Sequence, residues 1–195
     1  MRSAGCVIND FADRDFDGAV ERTKSRPLAT GEVKPIEAIA LFLILSLCGA
    51  SLLIFLNRFT QLLACIALFV IILYPFSKRW THLPQFVLGI AFSWGILMAW
   101  SAVTNELSTM PLVLFATSVI WIIAYDSLYA MVDREDDLTI GIKSSAILFG
   151  DKAHLIIGTL MSFTVLGFCL FGSLLDFSSF YCAHTHRCLI VQVSY

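Results

Sequence analysis

The chain has 195 residues, 58% hydrophobic and only 14% charged, with a formal net charge of −2 and a mean hydropathy of +0.81. That balance excludes an ordinary water-soluble domain, and the lack of any basic tract or recognition motif excludes a nucleic-acid partner. Strand-period alternation is absent, which leaves membrane-spanning helices in place of a closed barrel.

Residues 1–8 read as the last two turns of a helix, opened by no signal-peptide pattern, and Met1 is read as an unnatural beginning. A polar loop follows to Lys34, with Pro27, Gly31 and Pro35 limiting how far any helix continues. Residues 9–17 are nevertheless able to coil. Asn9, Asp13 and Asp17 then share one stripe at spacings of four, Asp10 lies beside it and Asp15 points away.

Five charge-poor stretches come next, at 38–56, 60–76, 84–104, 110–125 and 155–175. Each approaches the roughly 17–25 residues that cross a bilayer as a helix. The expected fold is therefore all-α: a multi-spanning transmembrane helical bundle of about five full spans plus the end of a sixth. Pro75 and Pro84 bracket a basic turn containing Lys78 and Arg79, short enough only for an antiparallel connection.

From Met110 to Asp137 no breaker interrupts the pattern, so one extended helix is predicted with Asp126, Tyr129, Asp133 and Asp137 along one side. An acid inside a span costs at least about 2.5–3.5 kcal/mol, so Asp126 must face the bundle interior or a hydrated cavity. There it either pairs with a neighbouring helix or meets a substrate.

Residues 1–175 form the expected membrane domain, and residues 176–195 a divergent tail. Cys182, His184, His186 and Cys188 in that tail lack the spacing of a zinc set, and Cys6, Cys48, Cys65 and Cys169 read as small hydrophobes.

The distribution of charge is more informative than its sum. If each stretch crosses once, Arg2, Arg14, Arg22, Lys24, Arg26, Lys34, Lys78, Arg79, Arg134, Lys143 and Lys152 fall on one side, and only Arg58 and Arg187 on the other. The rich side is cytoplasmic by the positive-inside rule, and both acidic clusters, 9–17 and 133–137, share it.

Carboxylates four residues apart on a helix repel, and two such clusters brought together call for a cation. Magnesium suits them: a hard ion that takes one or two carboxylates and completes its shell with water and phosphate oxygens. Arg22, Arg26, Lys78 and Arg79 are placed to recognise phosphate. A metal and phosphate site at the mouth of a membrane bundle fits a lipid diphosphate, whose head meets the metal and whose tail enters the apolar interior. Tyr74, Trp94, Trp100 and Tyr129 are aromatic faces available to steady an allylic cation.

These residues resemble the UbiA superfamily of intramembrane prenyltransferases. Its NDxxDxxxD motif matches Asn9, Asp10, Asp13 and Asp17, and its DxxxD motif matches Asp133 and Asp137. The words Arg26-Pro-Leu, Tyr74-Pro-Phe-Ser-Lys-Arg, Thr81-His-Leu-Pro-Gln and Tyr125-Asp-Ser-Leu-Tyr-Ala-Met-Val-Asp-Arg look like the bacterial 4-hydroxybenzoate polyprenyltransferases, over roughly residues 1–175.

The resemblance implies magnesium-dependent transfer of a polyprenyl group from its diphosphate to the ring of 4-hydroxybenzoate, a step of ubiquinone biosynthesis, in the bacterial inner membrane with the active-site loops cytoplasmic. It implies that Asp13, Asp17, Asp133 and Asp137 are catalytic and, with Asn9, hold the metal. Arg22, Arg26, Tyr74 and Lys78 would contact the diphosphate, and Arg79 the diphosphate or the acceptor carboxylate. The family fold has nine transmembrane helices, so both ends of this chain are expected to be cut, with membrane lipid as a neighbour and no protein partner readable. Three other readings stand beside this one: a sister enzyme with another aromatic acceptor, an inactive fragment, and a cation transporter.

Overall fold

The computed structural model describes residues 2–77, 80–141, 143–177, 181 and 185, without the side chains of Asp136 and Ile140. All regular structure among these residues is helical. The first helix, α1, runs unbroken over Arg2–Asp17, so the whole first acidic cluster is helical. Pro27 opens the single turn α2 (Pro27–Thr30), which Gly31 ends at φ 80°, a left-handed conformation that glycine takes without strain.

The spans are α3 (Pro35–Leu53), α4 (Arg58–Ser77), α5 (Pro84–Thr104), α6 (Thr109–Val132) and a composite of the short α8 (Ser145–Phe149) with α9 (Ala153–Leu174). Helix α7 (Arg134–Ile140) lies between α6 and α8. All five are long and apolar enough to cross a bilayer, and the protein is a multi-pass membrane protein.

Several starts fall earlier than the hydropathy edges. Helix α3 begins at Pro35, where a missing N–H costs nothing, and the Lys34 N–H donates to Glu37 Oε2 at 2.8 Å. In α4 the start is fixed by Asn57, whose Oδ1 accepts from the Thr60 N–H at 2.8 Å.

One correction is larger. The predicted continuous helix over 110–137 is broken at Asp133, which takes φ −85° and ψ 3° between α6 and α7. The backbone ladder still crosses the kink, since the Asp133 N–H donates to the Tyr129 carbonyl at 3.3 Å and the Asp137 N–H to the Asp133 carbonyl at 2.9 Å. No Pro or Gly causes it, so nothing in the local sequence announced it.

Packing runs from α3 through α1 to α4, then α5, α6 and α9 in turn. The bundle is ordered inside-out compared with a soluble protein. Its fully buried side chains include Thr60, Thr164, Ser77, Ser101, Ser127 and Ser145, whereas Leu47, Phe55, Phe69 and Leu155 point outward. Small hydroxyl residues let membrane helices approach and bind one another, because apolar burial gives little drive among lipid tails.

Thr60 and Ser101 join α4 to α5 at 2.8 Å, and Ser127 joins α6 to Ser145 of α8 at 2.8 Å. The Trp94 indole N–H donates to the Leu63 carbonyl at 2.9 Å. A Cβ on Gly167 would run into Thr117, and one on Gly89 would stand 3.1 Å from the Val119 carbonyl oxygen. These two glycines set the spacing of α6 against α9 and α5.

Candidate functional site

The C-terminal ends of α1, α4 and α6 and the start of α5 meet at one end of the bundle. Between them lies a polar cavity of about 240 Å³. Helical spacing brings Asn9, Asp13 and Asp17 of α1 to its wall, and the 126, 129, 133 and 137 series of α6 and α7 lines it too. Tyr74 from α4 and Gln85 from α5 complete it, with Lys143 and Ser144 from the segment before α8.

The loop after α1 folds back over its own helix. The Thr23 hydroxyl donates to the Asp17 carbonyl at 3.1 Å, which also accepts the Val20 N–H at 3.3 Å, so the last turn is tied to the loop twice. That reversal points two arginines at the carboxylates.

Arg22 forks Asp133, with Nη2 2.6 Å from Oδ2 and Nε 3.2 Å from Oδ1. Arg26 Nη1 lies 2.9 Å from Asp10 Oδ1 and 3.0 Å from Asp17 Oδ2. Burial pushes the Asp10 carboxyl above its ordinary range, against the opposing pull of Arg26. The bond to Asp133 holds the Arg22 guanidinium still more firmly protonated.

Of the residues marked from sequence, Asn9, Asp13, Asp17, Arg22, Arg26, Tyr74, Asp133 and Asp137 all line this one cavity. Lys78 and Arg79 lie outside the described residues, as do Cys182, His184, His186 and Cys188. Asp15 is exposed and pairs with Arg14, at 3.5 Å. Asp126 lines the cavity as well.

Among the described residues, no three His, Cys, Asp or Glu side chains stand close enough to hold a metal ion by themselves. The arginines occupy that role, spreading positive charge among the acids. The donor set nonetheless fits a hard cation: the lining is rich in carboxylate oxygens, and Asn9 Oδ1 is a buried acceptor without a hydrogen-bond partner.

A second, larger cavity of about 630 Å³ adjoins the first. Its lining is mostly small and apolar, including Gly49, Ala50, Ala64, Ala67, Ala91 and Gly95, with Phe92 and Trp94 as aromatic walls. Asn9, Arg26 and Tyr74 line both cavities. Trp100, also marked from sequence, lines neither.

Sequence reasoning gave no role to Gln85, Lys143 or Ser144. A signal was present for Gln85: it is an amide in the first turn of an otherwise apolar span, where a polar side chain needs a reason.

Residues 1–195 match the UbiA prenyltransferase family. A 4-hydroxybenzoate octaprenyltransferase of Pseudomonas aeruginosa (strain UCBPP-PA14) is 56% identical over 173 residues, covering 89% of this chain and 58% of the relative. One from Alcanivorax borkumensis is 53% identical over 178 residues, covering 91% and 61%. The chain thus spans about three fifths of the length of these curated relatives. Among solved structures, the apo UbiA homologue from Aeropyrum pernix K1 superposes with a TM-score of 0.86 at 27% identity, covering 98% of this chain and 73% of that one. A UbiA homologue from Archaeoglobus fulgidus bound to GPP and Mg2+ has a TM-score of 0.71 at 20% identity, with 98% and 71% covered.

Proposed function

Since this chain belongs to the UbiA prenyltransferase family, we propose that it carries the site that transfers a polyprenyl group from polyprenyl diphosphate to 4-hydroxybenzoate. The carbon attacked is the ring position ortho to the hydroxyl. What carries the reading is the pairing of an acid- and arginine-lined cavity with an apolar one through the shared residues Asn9, Arg26 and Tyr74. An amphipathic diphosphate has one part suited to each. The curated names of the relatives support the benzoate as acceptor.

In this reading Asn9, Asp13, Asp17, Asp133 and Asp137 hold magnesium. Magnesium, when bound, supplies charge neutralisation for the departing diphosphate. Arg22, Arg26, Tyr74 and Lys78 contact the diphosphate oxygens, and Arg79 the diphosphate or the acceptor carboxylate. The two arginines that hold Asp133, Asp10 and Asp17 turn to phosphate as substrate enters, because a fork on phosphate is as strong as a fork on carboxylate.

The C1–O bond of the donor breaks with its electron pair leaving on the diphosphate, and a ring π pair forms the new C–C bond. The displaced ring proton passes to a carboxylate of the cavity. Preorganised positive charge at the departing oxygens is the main catalytic contribution.

The cavity end carries the basic loops, so we place it at the cytoplasmic face of a bacterial inner membrane. Membranes containing this chain should convert 4-hydroxybenzoate and a polyprenyl diphosphate to prenylated acid with magnesium and not with EDTA. Equal conversion in EDTA would overturn the proposal.

A further inference from the structure

Gln85 is 5% exposed, lines the polar cavity, and leaves its Oε1 with no hydrogen-bond partner. An acceptor left unpaired at that depth is expensive unless a ligand pairs it. Ser144, 4% exposed, leaves a hydroxyl unpaired in the same cavity.

The two orphans ask for different chemistry. A hydroxyl donates, so Ser144 is satisfied by any phosphate or carboxylate oxygen. The Gln85 oxygen only accepts. A diphosphate ionised at neutral pH has no hydrogen to give it, and neither does a carboxylate. Metal ligation does not call on it either: in the reading above magnesium already has Asn9, Asp13, Asp17, Asp133 and Asp137, and their carboxylates are the stronger ligands for a hard cation.

What remains is a ligand O–H. Of the two substrates proposed above, only the acceptor carries one, on its ring. Location agrees with this. Gly89 packs against Val119, so Gln85, one turn earlier on α5, faces the part of α6 that leads to Asp126. It thus approaches the cavity from the α5 and α6 wall.

We propose that Gln85 Oε1 accepts a hydrogen bond from the ring hydroxyl of the aromatic acceptor and selects acceptors that carry one. The inference rests on the proposed reading of the acceptor. The contact fixes which ring edge faces the donor carbon, and by drawing the hydroxyl proton outward it enriches the ortho carbons in electron density.

The test is calorimetric binding of 4-hydroxybenzoate and of 4-methoxybenzoate, which lacks the donor hydrogen, to the purified protein in detergent. It needs no turnover. Wild-type protein is expected to favour the hydroxy compound by about tenfold. Gln85→Met, close in volume and lacking a strong acceptor, should bind the two alike, and Gln85→Glu, which keeps an acceptor oxygen, should retain the preference.

Retained binding of a magnesium thiodiphosphate analogue shows that each variant is folded. A wild type that binds both benzoates equally, or a Gln85→Met protein that still discriminates, overturns the role of Gln85 alone. Binding of neither benzoate overturns the benzoate reading and this inference with it.

Discussion

Arg22 reaches across 111 residues of chain to fork the carboxylate of Asp133, its Nη2 2.6 Å from Oδ2. One bond therefore ties the loop after the first acidic helix to the kink between α6 and α7. Both partners line the polar cavity, where the proposed diphosphate would arrive.

Its worth to folding and its worth to catalysis should separate. Arg22 is half exposed, so the pair adds at most about 1 kcal/mol to stability after solvent screening. Arg22→Ala should leave the melting temperature within a few degrees, while kcat/KM for the diphosphate falls about a hundredfold. A variant that keeps wild-type turnover would remove Arg22 from the diphosphate site.

The metal role of α1 makes a separate claim. Asp17 is 5% exposed and bonded to Arg26. Asp17→Asn should shift the magnesium concentration for half-maximal turnover upward by roughly tenfold to a hundredfold. An unchanged magnesium titration with lowered kcat would assign Asp17 to holding Arg26 alone.

Gly95 lines the apolar cavity with open space where a Cβ would stand. Gly95→Leu should therefore fold normally while shortening the channel. Competition assays should show KM rising by about tenfold for a long polyprenyl diphosphate and little for geranyl diphosphate. Equal effects on both donors would place the prenyl tail elsewhere.

The α6 and α9 contact tests the packing. A Cβ at Gly167 meets Thr117, so Gly167→Ala should destabilise by about 1–3 kcal/mol through overpacking. Thermal unfolding in detergent reads this. A second change, Thr117→Ala, which removes both the Oγ1 and the methyl that the new Cβ would meet, should recover part of the loss.

How much of this was legible beforehand depends on the kind of signal. Spans were readable because a bilayer demands long apolar helices; Pro35 and Asn57 set two starts a few residues early, and the last span gains the short α8 ahead of α9. The stripes of Asn9, Asp13 and Asp17 and of Asp126, Tyr129, Asp133 and Asp137 were readable because helical spacing puts every fourth residue on one side. Their shared cavity is a property of the folded bundle.

Less was legible where long-range contacts decide. The kink at Asp133 has no breaker residue, and it falls where Arg22 grips from far away in sequence. The arginines were read as ligands for phosphate, whereas their carboxylate partners in the folded chain depend on the loop reversal at Thr23. Gln85, quoted within Thr81-His-Leu-Pro-Gln, received no site role because a lone amide at a helix start looks the same in sequence whether it faces lipid headgroups or a cavity.

The central claim is that both acidic helix ends grip one magnesium diphosphate. Calorimetric binding of a non-hydrolysable geranyl thiodiphosphate with magnesium, to wild type, Asp17→Asn, Asp133→Asn and the double variant, tests it most directly. The account predicts strong coupling, with the double variant binding little worse than either single one. Losses that simply add, or magnesium-dependent binding that survives Asp133→Asn at full strength, would contradict it.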